Sequence, residues 1–185
     1  MLILPFKGTF AITQIFNDKR YRESYAKFGL MGHNGIDYAT PVGTPIYAPI
    51  DGVAKETDYF DQYGYGNYIK IQNDKEGVVL AHFKDRSPIK PGTTIKQGDL
   101  VGYSGNSGNS TGPHLHMSYW REPRNRENGF NGFLDHTYWL NIQVGDAYKQ
   151  KYDDLLKDHG RALNYLNDLI KSTKDIKNIA EEALE

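Results

Sequence analysis

Among its 185 residues the chain has no cysteine. No disulfide can staple the fold and no thiolate can bind a metal, so any metal site must be built from nitrogen and oxygen donors. The absence says little about compartment, because a cysteine-free chain tolerates either redox state. An excess of one charge is also missing: 22 Lys and Arg stand against 23 Asp and Glu, for a formal net charge of -1. Nucleic-acid binding needs a clustered basic excess, so no nucleic-acid partner is expected. Long apolar runs are missing as well. The opening MLILPFK is broken by Pro5 too early to form a signal-peptide core, and no later stretch is long enough to span a bilayer. What the chain does have is 38% hydrophobic residues, enough for one core, together with 19 glycines and 8 prolines.

Those turn residues are unevenly spread. Between Phe10 and Tyr119, short β-rich runs at 46–48, 53–55, 68–72, 77–82 and 100–103 are separated by Gly, Pro, Asn and Asp. This pattern predicts an antiparallel all-β domain. After Gly145 glycine and proline nearly vanish and helix formers dominate. Leu155, His159, Ala162, Leu166, Leu169, Thr173, Ile176, Ala180 and Ala183 recur at alternating spacings of four and three, as on one face of a helix. Gly160 and the Ser172-Thr173 pair leave one long helix and a helical hairpin as competing forms. The expected organisation is therefore a β domain over 1–144 and an amphipathic helical tail over 145–185, whose apolar stripe needs a partner.

The histidines carry the chemistry. His33 and Asp37 lie four apart, which on a helix would put them on one face, but Asn34 and Gly35 break a helix. In a straight strand the pair would be roughly 13 Å apart, too far to share an ion. The chain must turn at Asn34-Gly35, with a strand through Ile36, Asp37 and Tyr38; Gly35, lacking a Cβ, permits that turn. Pro113 ends a Gly/Asn/Ser-rich loop over 104–112, after which His114, His116 and Ser118 alternate with Leu115, Met117 and Tyr119. A period of two sends both imidazoles to one face. The loop itself lacks the Gly-Lys-Ser/Thr ending that would cradle a phosphate. A zinc ion in a hydrolytic site takes three nitrogen or oxygen ligands and keeps a fourth position for water, and two histidines with one aspartate satisfy that count.

Together the segments HNGIDYATPVGTPIYAPIDG, YGNYIKI, AHF and GDLVGYSGNSGNSTGPHLHMSYW resemble the lysostaphin/LytM-type zinc metallopeptidases, from about Ile12 through Tyr119 with a weaker echo in FLDHTYWL. The resemblance implies a lysostaphin-like antiparallel β-sandwich and one Zn2+ per chain, held by His33, Asp37 and His116. It also implies that His82 and His114 assist the water and the transition state. Phe83, Met117 and a Tyr-rich, lengthened stretch from Glu56 to Tyr65 depart from the family pattern and bear on substrate preference. Tyr59, Tyr63, Tyr65 and Tyr68 are candidates for a groove wall, and the polar run 121–129 for a surface loop near its end, either in reach of acidic substrate groups or simply solvated. His136 reads as a structural or rim residue and His159 as part of the tail.

The activity implied is endopeptidase cleavage of the peptide cross-links or stems of bacterial peptidoglycan. With no signal peptide expected here, the enzyme would reach the wall by phage delivery or release on lysis, or through a signal absent from this chain. The tail would serve self-association or docking on a phage structure. Two alternatives come with the resemblance: a catalytically unused LytM-like module that binds wall or activates an amidase, and a structural virion component. Unused modules usually lack ligands, whereas every ligand position is filled here.

Overall fold

The computed structural model describes residues 2–57, 60–61, 64–138 and 140. Its elements in chain order are β1 (Ile12–Gln14), α1 (Arg22–Ala26), β2 (Ile36–Tyr38), β3 (Pro45–Tyr47), β4 (Gly52–Glu56), β5 (Phe60–Asp61), β6 (Gly66–Gln72), β7 (Glu76–Phe83), β8 (Thr94–Ile95), β9 (Leu100–Tyr103) and β10 (Leu115–Arg121), followed by a 3-10 turn (His136–Tyr138). The predicted strands are all present, shifted or extended by one or two residues at their ends. The five-residue α1 is the one α-helix among the described residues and was not expected. No described helix is long and apolar enough to cross a membrane. The predicted tail over 145–185 lies outside the described residues.

One eight-stranded antiparallel sheet runs β1-β2-β10-β7-β6-β4-β8, with β5 hydrogen-bonded to β6, and β3 pairs with β9 in a separate two-stranded sheet. The central strands β7 and β10 are buried along almost their whole length, which explains why Gly77-Val-Val-Leu-Ala81 reads as a continuous apolar run. Both faces of these strands are covered. On one face Val78 and Leu80 pack with Ile69, Ile71, Leu115, Met117 and Tyr119, and with Ile46 and Val101 from the small sheet, so the two sheets enclose one core. On the other, Val79 and Ala81 pack with Tyr68, Trp120 and Phe133. His116 and Ser118 belong to this second face by alternation along β10.

One irregularity decides where His82 points. Ile69 pairs with Leu80, but Asn67 pairs with Phe83, so β7 takes three steps where β6 takes two. His82 carries the extra step in left-handed backbone, φ +62°. Strict alternation would bury it in the core beside Val78 and Leu80. The bulge instead gives that place to Phe83, which is fully buried, and turns the imidazole to the second face.

Candidate metal centre

β2 lies between β1 and β10, and its pairing sets Asp37 directly opposite His116. His33 approaches from the bend before β2. Its backbone is held by Asn17, whose N–H donates to the His33 carbonyl at 2.8 Å. The bend at Asn34-Gly35 is where the sequence required it, and the missing Cβ of Gly35 is what lets it form. Gly35 is absent from the described residues with positive φ. A Cβ there would instead lie 2.5 Å from His116 Cε1 and 2.5 Å from the Met117 carbonyl oxygen, so the glycine lets the bend close against β10.

His33, Asp37 and His116 are 2%, 7% and 3% exposed. Their facing atoms converge: His33 Nε2 is 2.9 Å from His116 Nδ1, Asp37 Oδ1 is 2.9 Å from His116 Nδ1, and Asp37 Oδ1 is 3.2 Å from His33 Nε2. Ligand atoms about 2.0–2.1 Å from a tetrahedral zinc stand about 3.3 Å from one another, so this triangle is close to one face of such a polyhedron. The outer nitrogens agree with that reading. His33 Nδ1–H donates to the Ile15 carbonyl at 3.0 Å, which leaves Nε2 as a bare acceptor. His116 Nε2 is 2.6 Å from Ser118 Oγ, a partner for the proton that a metal on Nδ1 leaves there. A buried carboxylate and two inward nitrogen lone pairs then face one another, and the charge they lack is a cation. Among the described residues these three form the group able to hold a metal ion.

Electrostatics follow the geometry. Burial pushes the Asp37 carboxyl up, but hydrogen bonds from His116 and His33, and their charge when protonated, hold it well below the usual carboxylate range. Burial depresses His116 against the opposing pull of Asp37. Burial also pushes His82 down to about 3, with the neighbouring His116 and His114 adding to the effect.

His82 and His114 flank the triangle, their ring centroids 4.5 Å apart. His82 Nδ1–H donates to the Ser107 carbonyl at 2.7 Å, and His114 Nδ1–H to the Gly112 carbonyl at 2.8 Å. With Nδ1 engaged on both rings, Nε2 is the nitrogen left for the cleft; that of His114 is 3.7 Å from Asp37 Oδ2. Of the six histidines, His136 is also described and lies fully buried, which makes it structural and removes the rim reading; His159 lies outside the described residues.

All five candidate residues line one cleft of about 540 Å³, together with Tyr65 and Tyr68 and, near α1, Tyr21, Tyr25 and Phe28. Tyr59 and Tyr63 lie outside the described residues. Tyr65 Oη accepts from Asn34 Nδ2 at 2.8 Å, tying the groove wall to the ligand bend. Ser118, Ile15 and Ser107 escaped the sequence reading as partners of the histidines. Alternation along β10 could have flagged Ser118, whereas backbone carbonyls leave no sequence signature.

Comparison with known proteins agrees with this geometry. Residues 31–128 match the model of Peptidase family M23. The chain is 30% identical over 154 residues to the peptidoglycan DD-endopeptidase ShyC of Vibrio cholerae, covering 78% of this chain and 35% of that protein. It spans about a quarter to a third of the curated relatives it matches first. Among solved structures, a zinc-containing peptidase from Vibrio cholerae is 31% identical with a TM-score of 0.56, over 65% of this chain and 36% of that one. The catalytic domain of lysostaphin from Staphylococcus simulans is 25% identical with a TM-score of 0.57, over 70% of this chain and 91% of that one. With its antiparallel sheet, its His-Asp-His cluster and a family match across more than half its length, the chain belongs to peptidase family M23, a family of zinc-dependent metallopeptidases.

Proposed function

We propose that this chain is a zinc-dependent endopeptidase that hydrolyses peptide cross-links or stem peptides of bacterial peptidoglycan. The observation that carries the proposal is the buried triangle of His33 Nε2, Asp37 Oδ1 and His116 Nδ1, a set of acceptors lining a cleft of about 540 Å³. The substrate class is supported by the likeness to ShyC and to the lysostaphin catalytic domain.

In this reading His33, Asp37 and His116 hold the zinc. When bound, zinc supplies a water acidified to a pKa of about 7 and a Lewis acid for the scissile carbonyl. The two flanking histidines divide the proton work. His82, held neutral by burial and fixed by Ser107, orients the attacking water as an acceptor at Nε2. His114 is the less enclosed of the two, with its side chain 13% exposed to the cleft. Its Nε2 takes the proton from the attacking water and returns it to the leaving amine nitrogen. Burial first, and then the neighbouring His116 and His114, disfavour a proton on His82.

Delivery by a phage or by lysis, and self-association or docking through residues 145–185, belong to the same proposal; the oligomeric state of the full chain against one ending near Gly145 tests the tail. The test of function is digestion of isolated sacculi, diamino-acid-linked and glycine-bridged, by the zinc-loaded and the chelated chain, with released muropeptides identified by mass. Zinc-dependent appearance of new amino termini is expected. Intact sacculi of both types beside a stoichiometrically zinc-loaded chain would contradict the proposal and favour a binding module.

A further inference from the structure

The cleft walls carry more positive charge than their own carboxylates neutralise. Lys70, Arg124 and Arg126 line the cleft, and apart from Asp37 its acidic wall residue is Glu56. Glu56 is already engaged: Oε1 accepts from Lys70 Nζ at 3.0 Å and Oε2 from Tyr68 Oη at 2.8 Å. The Arg124 guanidinium forms no ion pair with a described carboxylate, Glu122 accepting from the Arg124 backbone N–H at 3.0 Å and acting on the guanidinium only at longer range, yet the side chain is firmly held. Its Cζ sits 4.6 Å from the Trp120 ring centroid and 4.3 Å from that of Phe133. Its Nε donates to the Asn131 carbonyl at 2.9 Å. Gly132, at φ +79°, makes room for the side chain, since a Cβ there would fall 2.4 Å from Arg124 Cγ. Nη1 and Nη2 donate to no described residue. Arg126 lies alongside, its Nη1 donating to Asn131 Oδ1 at 3.2 Å.

A half-buried guanidinium, stacked against two rings and tied at Nε, has already lost most of its rotamer freedom. Its free edge is a fork that matches a carboxylate in two parallel hydrogen bonds. Stacking alone would explain Arg124 as a cover for Trp120, but it would not explain an unpaired cation facing the same cleft as the metal triangle.

We propose that Arg124 is a specificity-determining residue that receives a free carboxylate of the stem peptide, so that the cleft selects acidic stems over neutral glycine bridges. This rests on the peptidoglycan reading above. Two carboxylates of a stem fit the chemistry, the α-carboxylate of a γ-linked glutamyl residue and the side-chain carboxylate of a diamino acid.

The test uses four synthetic stem peptides: one with both carboxylates free, one with each amidated singly, and one with both amidated. kcat/KM is measured with the zinc-loaded full chain, and affinity by titrating the zinc-free full chain, which binds without turnover. Wild type is expected to favour the diacid by about tenfold or more over one of the singly amidated peptides, which names the carboxylate. Arg124→Gln is expected to erase that ratio, mainly through KM, while Arg124→Lys retains part of it. Equal rates and affinities for all four peptides in wild type would overturn the inference. So would an Arg124→Gln variant that keeps the ratio. Absence of turnover on every peptide, with the diacid still bound tighter by the zinc-free chain, would remove the peptidase reading and leave the carboxylate site standing.

Discussion

His82 occupies left-handed backbone at φ +62°, a conformation that costs a residue with a Cβ about 1–2 kcal/mol. The bulge accepts that cost because it is what brings the imidazole out of the core and beside His114. His82→Ala and His82→Gly should both lose activity, by about 10²-fold or more, since each removes the Nε2 acceptor. Their stabilities should separate. Urea unfolding should find the glycine variant more stable than the alanine variant by about 1 kcal/mol, against the usual order for these residues; the opposite order would show that the backbone is not strained. His136 makes a different prediction. Its ring is fully buried, with Nε2 3.3 Å from Tyr38 Oη and Nδ1 without a partner among the described residues. Burial, with smaller contributions from His116 and His33, pushes it down to about 3. An unfolded histidine titrates near 6.5, so between about 6.5 and 3 the unfolded chain binds a proton that the folded chain refuses, and stability must fall as pH falls through that window. Denaturation of the metal-free protein at pH 7 and pH 5 should show the loss, and His136→Phe should show less of it; an unchanged slope in that variant would assign the effect elsewhere.

Between elements, the strand edges meet so closely that two glycines set the geometry. At Gly35 a Cβ would fall on the His116 ring and the Met117 carbonyl, and at Gly77 it would fall 2.1 Å from Trp120 Cζ2. Gly35→Ala should therefore displace β10 from β2, weakening zinc binding by about tenfold or more and lowering stability by about 1–3 kcal/mol. Chelator competition and urea unfolding read the two effects. The strands themselves were legible from turn residues and apolar runs, and the period of two after Pro113 correctly sent His116 and Ser118 to one face. The bend at Asn34-Gly35 was legible from distance alone. What could not be read was the extra residue in β7, because nothing in Leu-Ala-His-Phe announces a bulge when the left-handed residue is not glycine. By alternation alone His82 would have been a core residue; only the family resemblance pointed to it as a site residue. The small α1 was missed for a related reason, since five residues without a buried face carry no periodic signal.

For the whole molecule, the cleft joins three contributions from distant parts of the sequence: the ligand triangle on β10, β2 and the bend before β2, the proton-handling pair from β7 and the loop before β10, and the cationic wall beyond β10. The family resemblance already brought the ligands and the two flanking histidines into one site, and the sequence set the polar 121–129 run near the end of the groove, in reach of acidic substrate groups; that Arg124 and Arg126 line the same cleft as the ligands took the structure to show. Zinc bound to the folded chain alone should stabilise it, by about 2.7 kcal/mol when free zinc exceeds the dissociation constant a hundredfold. Chelation should then lower Tm by several degrees, and a Tm that ignores chelator would mean that no metal is held. Activity should decline as pH falls, because protons compete with zinc for its nitrogen ligands. A pH profile with zinc in excess should move its acid limb downward, and a limb that ignores the zinc concentration would contradict that competition.

The most direct test of the account is a zinc titration of the metal-free chain by chelator competition, in wild type and in His33→Ala, Asp37→Ala and His116→Ala. One tightly held zinc per wild-type chain, weakened by about tenfold to a hundredfold or lost in each variant, is the predicted result. Wild-type chain that takes up no zinc, or a His116→Ala chain that holds it as tightly as wild type, would contradict the claim that these three residues form the metal centre.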